Sequence, residues 1–158
     1  MAFSSTAKVR TCLWFNGRGE EAAEFYVSLL PGSEITARFH PRPDAPAMVV
    51  EFTLAGTPYQ ILDAGAEYAL SPAVSISVPT PSQQETDRLW TALSADGGLE
   101  NRCGWLTDRF GLSWQIFPAA LPQMLMGTDK AGAARTMQAM MGMVKIDLAA
   151  LEAAYNGK

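Results

Sequence analysis

The stretch Cys103-Gly104-Trp105-Leu106-Thr107-Asp108-Arg109-Phe110-Gly111-Leu112-Ser113-Trp114-Gln115-Ile116-Phe117-Pro118 leaves the chain few choices. Two strand-forming runs flank Asp108-Arg109-Phe110-Gly111, and Gly111 can supply the positive φ that a tight reversal needs. The pattern predicts a β-hairpin. Its second strand alternates, with Leu112, Trp114 and Ile116 on one face and Ser113, Gln115 and Phe117 on the other. Neither face is charged, so both are expected to be covered, one by a helix and the other by the wall of a cavity. Gln115 among apolar neighbours then either orients a bound molecule or is a buried amide satisfied by backbone groups.

The order of elements around this hairpin is repeated. Val9 to Phe15 is a strand by composition, closed by Asn16-Gly17. Glu20, Glu21 and Glu24 open a helix, where carboxylates complement the helix dipole, and Ala22, Phe25, Tyr26 and Leu29 follow at helical spacing. Pro31-Gly32 ends it. Strands are expected from Ser33 to Phe39, Met48 to Leu54 and Tyr59 to Asp63, the last two joined by Ala55-Gly56-Thr57-Pro58. The second half repeats strand, helix, strand, strand, strand. Ala73 to Val78 is a strand broken by Pro79-Thr80-Pro81, and Ser82 with Glu85 three positions on makes a capping box. A helix runs through Leu89, Trp90 and Leu93 to Asp96-Gly97-Gly98, and a weak strand at Leu99-Glu100-Asn101 leads into the hairpin. From Ala119 onward the pattern is helical, with a last helix opening at Ile146-Asp147-Leu148. The expected division is a first βαβββ module over 1–72, a second over 73–118 and a helical extension over 119–158.

Composition excludes several function classes. With 48% hydrophobic residues in 158, the chain is globular. A net charge of −4 gives it no basic footprint for nucleic acid or anionic membranes. No apolar run approaches the ~20 residues that span a bilayer. The segment Met1 to Lys8 lacks the apolar core of a secretion signal, and Cys12 and Cys103 are too few for a disulfide framework, so a cytoplasmic protein is expected. The single histidine, His40, lies among prolines, which leaves histidine-based triads and metal sites poorly supplied.

The duplicated order, with Cys12-Leu13-Trp14-Phe15, Glu20-Glu21-Ala22-Ala23-Glu24-Phe25-Tyr26, Cys103-Gly104-Trp105-Leu106-Thr107-Asp108 and Phe110-Gly111-Leu112-Ser113-Trp114-Gln115-Ile116, resembles the vicinal oxygen chelate superfamily. Within it the chain is similar to the PhnB-like branch, as is the tail Met137-Gln138-Ala139-Met140-Met141 with Lys145-Ile146-Asp147. The branch often carries the label 3-demethylubiquinone-9 3-methyltransferase domain. The resemblance implies an α+β fold of two βαβββ modules, curled mixed sheets around a cavity. In metal-using relatives, four ligands come from the first and fourth strand of each module. Carried over, those positions are Arg10, then Gln60 or Ile61 with Ile61 favoured, then Ala73 and Gln115. Such a set cannot assemble a divalent metal site, so no metal or other cofactor is expected. The label implies S-adenosylmethionine, but Asn16-Gly17-Arg18-Gly19-Glu20 has only two glycines, and no parallel βαβα alternation follows it.

If Gln115 faces inward, Arg10, Cys12 and Trp14 share the inward face of the first strand, and Ser75 and Ser77 accompany Ala73. The resemblance turns Cys103 and Trp105 inward too, which a bulge at Gly111 would permit. Tyr59 and Asp63 are expected at the mouth. The expected ligand-binding set is therefore Arg10, Trp14, Tyr59, Ser75, Trp105 and Gln115. For Trp14 and Trp105, core packing is the competing role. The candidate catalytic groups are Asp63, as a base or a solvated strand-end carboxylate, and Cys103, as a nucleophile or an inert thiol. Two classes follow. One is a metal-free protein that binds a small, partly aromatic molecule. The other is an enzyme, either a cofactor-independent isomerase or lyase, or the methyltransferase of the label. The methionine-rich tail adds the expectation of a homodimer.

Overall fold

The computed structural model describes residues 9–158, and the segment 1–8, read above for a secretion signal, lies outside the described residues. The chain divides between Leu70 and Ser71 into two compact units. In the first, β1 (Thr11–Phe15), α1 (Gly19–Leu29), β2 (Glu34–Phe39), β3 (Val49–Leu54) and β4 (Thr57–Asp63) form a sheet of order β1-β4-β3-β2. Strand β1 runs parallel to β4, and the other pairs are antiparallel. The β3–β4 hairpin turns on Ala55 and Gly56, both at positive φ (45° and 84°), the geometry that matches strand twist in a two-residue loop.

One face of this sheet takes the helix. Leu13, Phe15, Val50, Phe52, Leu54 and Ile61 are buried, as are Ala22, Ala23, Tyr26 and Leu29 of α1, which packs on β3 and β4. Fully burying a large side chain of this kind contributes about 1.5–3 kcal/mol, so this layer holds the unit together.

The second unit repeats the topology. Its elements are β5 (Ser75–Thr80), α2 (Gln83–Ser94), a 3-10 turn at Ala95–Gly97, β6 (Leu99–Glu100), β7 (Trp105–Thr107) and β8 (Ser113–Pro118), in the order β5-β8-β7-β6. This is the α+β, two-module architecture that the element order implied. Strand β5 begins two residues later than the sequence suggested and runs through Pro79 instead of stopping there. It lies at the sheet edge, where a residue without an N–H is tolerated. Ser82 caps α2 by accepting from the Glu85 N–H at 3.2 Å. The reciprocal half of the expected capping box is replaced: the Glu85 carboxylate pairs with Arg88 at 2.6 Å.

The extension contains α3 (Ala120–Met126), α4 (Lys130–Met141) and α5 (Leu148–Tyr155) and belongs to the second unit. Leu121, Ile146 and Leu151 form its core, with Phe117, Met124, Met140 and Met143 packed against it. Met126, Met137 and Met141 remain exposed. Gln83 ties the extension to α2: its Nε2 donates to the Ile146 carbonyl at 3.1 Å, and its Oε1 accepts from the Leu148 N–H at 2.8 Å. Lys145 adds an ion pair with Asp87, whose carboxyl is held below the usual range by that ammonium and by Gln83.

The hairpin is closed by Asp108. The Gly111 N–H donates to the Asp108 carbonyl at 2.9 Å, the Asp108 N–H donates to the Leu112 carbonyl at 2.9 Å, and Gly111 has φ +90°. The buried Asp108 carboxylate accepts the Phe110 and Leu112 N–H groups and the Trp114 indole at 2.8, 3.1 and 2.8 Å. Asp108→Ala would strand three donors and is expected to cost roughly 3–5 kcal/mol in a denaturant melt, with Asp108→Asn milder because one acceptor survives. Nothing lies within 4 Å of a Cβ built on Gly111. Gly111→Val should therefore cost about 1–3 kcal/mol from backbone strain alone.

Candidate functional site

Register assigns every strand residue to a face. In the second sheet Gln115 lies opposite Trp105 on β7 and Ser77 on β5, while Trp114 lies opposite Leu106 and Ile76. The latter set is the helix side. The extra residue at Gly111 puts Trp105 on the face of Gln115, as the resemblance required. Gln115 Nε2 donates to the Ser75 hydroxyl at 2.8 Å, and Ser113 and Thr107 hydroxyls meet at 3.3 Å on the same face. Ser75, Trp105 and Gln115, three of the expected ligand-binding residues, are thus brought together. Among the described residues the Gln115 carbonyl oxygen accepts no hydrogen bond. Ala73 lies in a turn ahead of β5, not on the strand as expected.

In the first sheet Gln60 pairs in register with Cys12 on β1 and Glu51 on β3. The helix-free face therefore carries Cys12, Trp14, Gln60 and Glu51. Gln60, not Ile61, holds the second carried-over position, and Ile61 is fully buried on the helix side. Arg10 is on the helix-free side too, its guanidinium paired with Glu51, which is 2% exposed. Trp14 donates its indole N–H to the Gly65 carbonyl at 2.7 Å and meets Tyr68 edge-on at 4.9 Å.

Two expectations about this sheet are corrected. Tyr59 faces the helix side, stacked on Phe52 with ring centroids 5.5 Å apart, because it alternates with Gln60. Burial pushes its phenol pKa up. Asp63 is also on the helix side, and both of its carboxylate oxygens are engaged by backbone. It accepts the Gly17 and Gly19 N–H groups at 2.5 and 2.7 Å and so serves the N-terminus of α1, which has no side-chain cap of its own. A shallow cavity of about 300 Å³ beside it is lined by Arg18, Glu20, Glu21 and Glu24.

Cys103 is half-buried, with its Sγ 3.7 Å from Met141 Sδ. Its backbone is at φ +59°, held there with Gly104 by hydrogen bonds from both N–H groups to the Met143 and Val144 carbonyls at 2.8 Å. Among the described residues its thiol meets a thioether and no activating base. His40 is exposed, its Nδ1 2.9 Å from the Ala45 carbonyl oxygen. Glu51 was not singled out from the sequence, although a lone carboxylate inside Val49-Val50-Glu51-Phe52 was a signal for it.

These features define a duplicated βαβββ protein with a polar helix-free face in each module. A family model described as 3-demethylubiquinone-9 3-methyltransferase matches residues 7–117. The chain belongs to that family. The PhnB protein of Bacillus cereus is 30% identical, with a TM-score of 0.63, over 71% of this chain and 98% of that one. A Pseudomonas aeruginosa protein is similar in fold at 24% identity and a TM-score of 0.57, over 72% of this chain and 98% of that one. No curated protein matches the chain significantly.

The divalent metal that the resemblance implies does not fit the donors that stand at the carried-over positions. A guanidinium taken by Glu51, two amides and an alanine supply neither imidazole nor free carboxylate. S-adenosylmethionine does not fit the Asn16–Gly19 turn either, since the Gly17 and Gly19 N–H groups are given to Asp63. Asp63→Ala is expected to destabilise the first unit by about 1–2 kcal/mol, the range of a lost helix cap, measured by thermal or denaturant melts.

Proposed function

We propose that this protein binds a small, partly aromatic molecule without a metal, using the helix-free face of the second sheet. The observation that carries this reading is the Gln115 amide. Ser75 fixes its orientation by taking Nε2, which leaves the carbonyl oxygen as an acceptor on the face that Trp105 shares. An oriented amide next to an aromatic face suits a ligand with one donor and a flat apolar body. The family name favours a second reading, methyl transfer, for which S-adenosylmethionine would be the donor.

Calorimetry with S-adenosylmethionine separates the two, and no heat of binding is expected. Elemental analysis of protein purified without chelator should find no stoichiometric divalent metal; one equivalent of nickel, zinc or iron would overturn the metal-free reading. Native mass spectrometry of gently purified protein should detect a bound organic molecule. Gln115→Leu should weaken its retention by ~1–3 kcal/mol with little loss of stability. Protein that is empty in both forms would count against the site.

The reading includes a homodimer, supported by the exposure of Met126 (76%) and Met141 (56%) on the extension. Sedimentation equilibrium at micromolar concentration should show a dimer, and a monomer would refute it.

A further inference from the structure

We propose that Arg10 and Glu51, on the helix-free face of the first sheet, form a second recognition site, for a neutral hydroxyl or amide N–H group of a small molecule. The proposal concerns the first unit alone and does not depend on Gln115. Glu51 is 2% exposed, and among the described residues only one of its carboxylate oxygens has a partner: Oε1 takes the Arg10 guanidinium, while Oε2 is buried with none. An unpaired oxygen on a buried carboxylate is expensive, because its desolvation is not offset by a hydrogen bond. Its register neighbours do not relieve it. Ala37 on β2 has no polar side chain, and Gln60 on β4 turns its Nε2 toward Cys12 Sγ, 3.8 Å away.

The duplication indicates that the fold itself does not require this pair. Gln60 stands between Cys12 and Glu51 as Gln115 stands between Ser77 and Trp105. The position of Glu51 is therefore filled by an uncharged aromatic residue in the second module. A buried ion pair is often no more stabilising than apolar residues of the same volume, so stability alone does not account for this one.

Charge decides the class of ligand group. Arg10 already balances Glu51, so a ligand cation at Oε2 would set two positive charges against one carboxylate. An anion at Arg10 would meet the unpaired Oε2. A neutral donor meets neither penalty and supplies the missing hydrogen bond. Arg10 is 21% exposed, so the guanidinium side of the pair is where a ligand can approach.

Phenol is the probe, with anisole lacking the donor and benzylamine carrying a positive charge. The Arg10 side-chain N–H resonance in arginine-labelled protein reads location and, through its titration, affinity at this site. Phenol at millimolar concentration should shift that resonance saturably, whereas anisole and benzylamine should not. Glu51→Gln should weaken the phenol affinity read at the Arg10 resonance at least about tenfold, the scale of a hydrogen bond to a charged group. If Glu51→Gln does not fold, Glu51→Asp, which draws the carboxylate back by one methylene, should show the same weakening. Equal binding of phenol and anisole, preference for benzylamine, no saturable shift with phenol, or undiminished affinity in the folded Glu51 variant would each overturn the site.

Discussion

The Asp108 carboxylate is the interaction on which the second unit most depends. Three N–H groups converge on it, two from the turn and one from Trp114 on the strand that follows. Together they lock the turn, the Gly111 residue that lengthens it and the start of β8. Register follows from that lock. With one residue fewer in the turn, Trp105 would face the helix and Leu106 would face away, since a one-residue slip inverts every side chain. The pairing of Trp105 with Gln115 is thus set by a carboxylate on the other side of the sheet. The entrance to the same hairpin holds the extension. Gly104 leaves only 2.6 Å between a built Cβ and the Ile116 carbonyl oxygen, so only glycine lets β8 and the Met143–Val144 backbone both approach.

The first unit solves a comparable problem with another aspartate. Asp63 at the end of β4 reaches the turn between β1 and α1 and takes two of its N–H groups. Gly19 is required there because a Cβ would stand 2.6 Å from Ile61 Cγ2. A glycine turn between strand and helix is the arrangement that elsewhere cradles phosphates. Here the chain's own carboxylate occupies the donors, and the turn is a closed structural joint. The acidic groups around it, Glu20, Glu21 and Glu24, would repel an anion in any case.

Much of this was legible because packing against a helix imposes a strong pattern. The apolar alternation of Leu13 and Phe15, and of Leu112, Trp114 and Ile116, places those residues on the helix side, and burial agrees. Turn glycines and the Ser82 cap were equally readable, since each has a local cause. The misplacements have one source, which is phase. Tyr59, Gln60 and Ile61 offer no clean alternation, because an aromatic, an amide and an aliphatic residue can each serve either face. Tyr59 and Asp63 moved together to the helix side once Gln60 was in register with Cys12. At β5 the prolines suggested an early stop, but edge position decides whether Pro79 is tolerated, and edge position is a tertiary fact. Glu51 and Asp108 were passed over as site and keystone because their importance lies in partners 41 and 6 residues away in sequence.

The two modules have been held alike on one face and allowed to differ on the other. On the helix side a change of even one methylene alters close packing, so the apolar character of Ile61 and Phe52 has its counterpart in Ile116 and Leu106. On the helix-free side the same register carries Cys12, Gln60 and Glu51 in one module and Ser77, Gln115 and Trp105 in the other. Each glutamine amide turns to the first strand of its module, but it finds a thiol in one case and a hydroxyl in the other. Packing against a helix fixes side-chain volume on one face, whereas the other face answers only to what its own register neighbours offer, and there the two modules have parted.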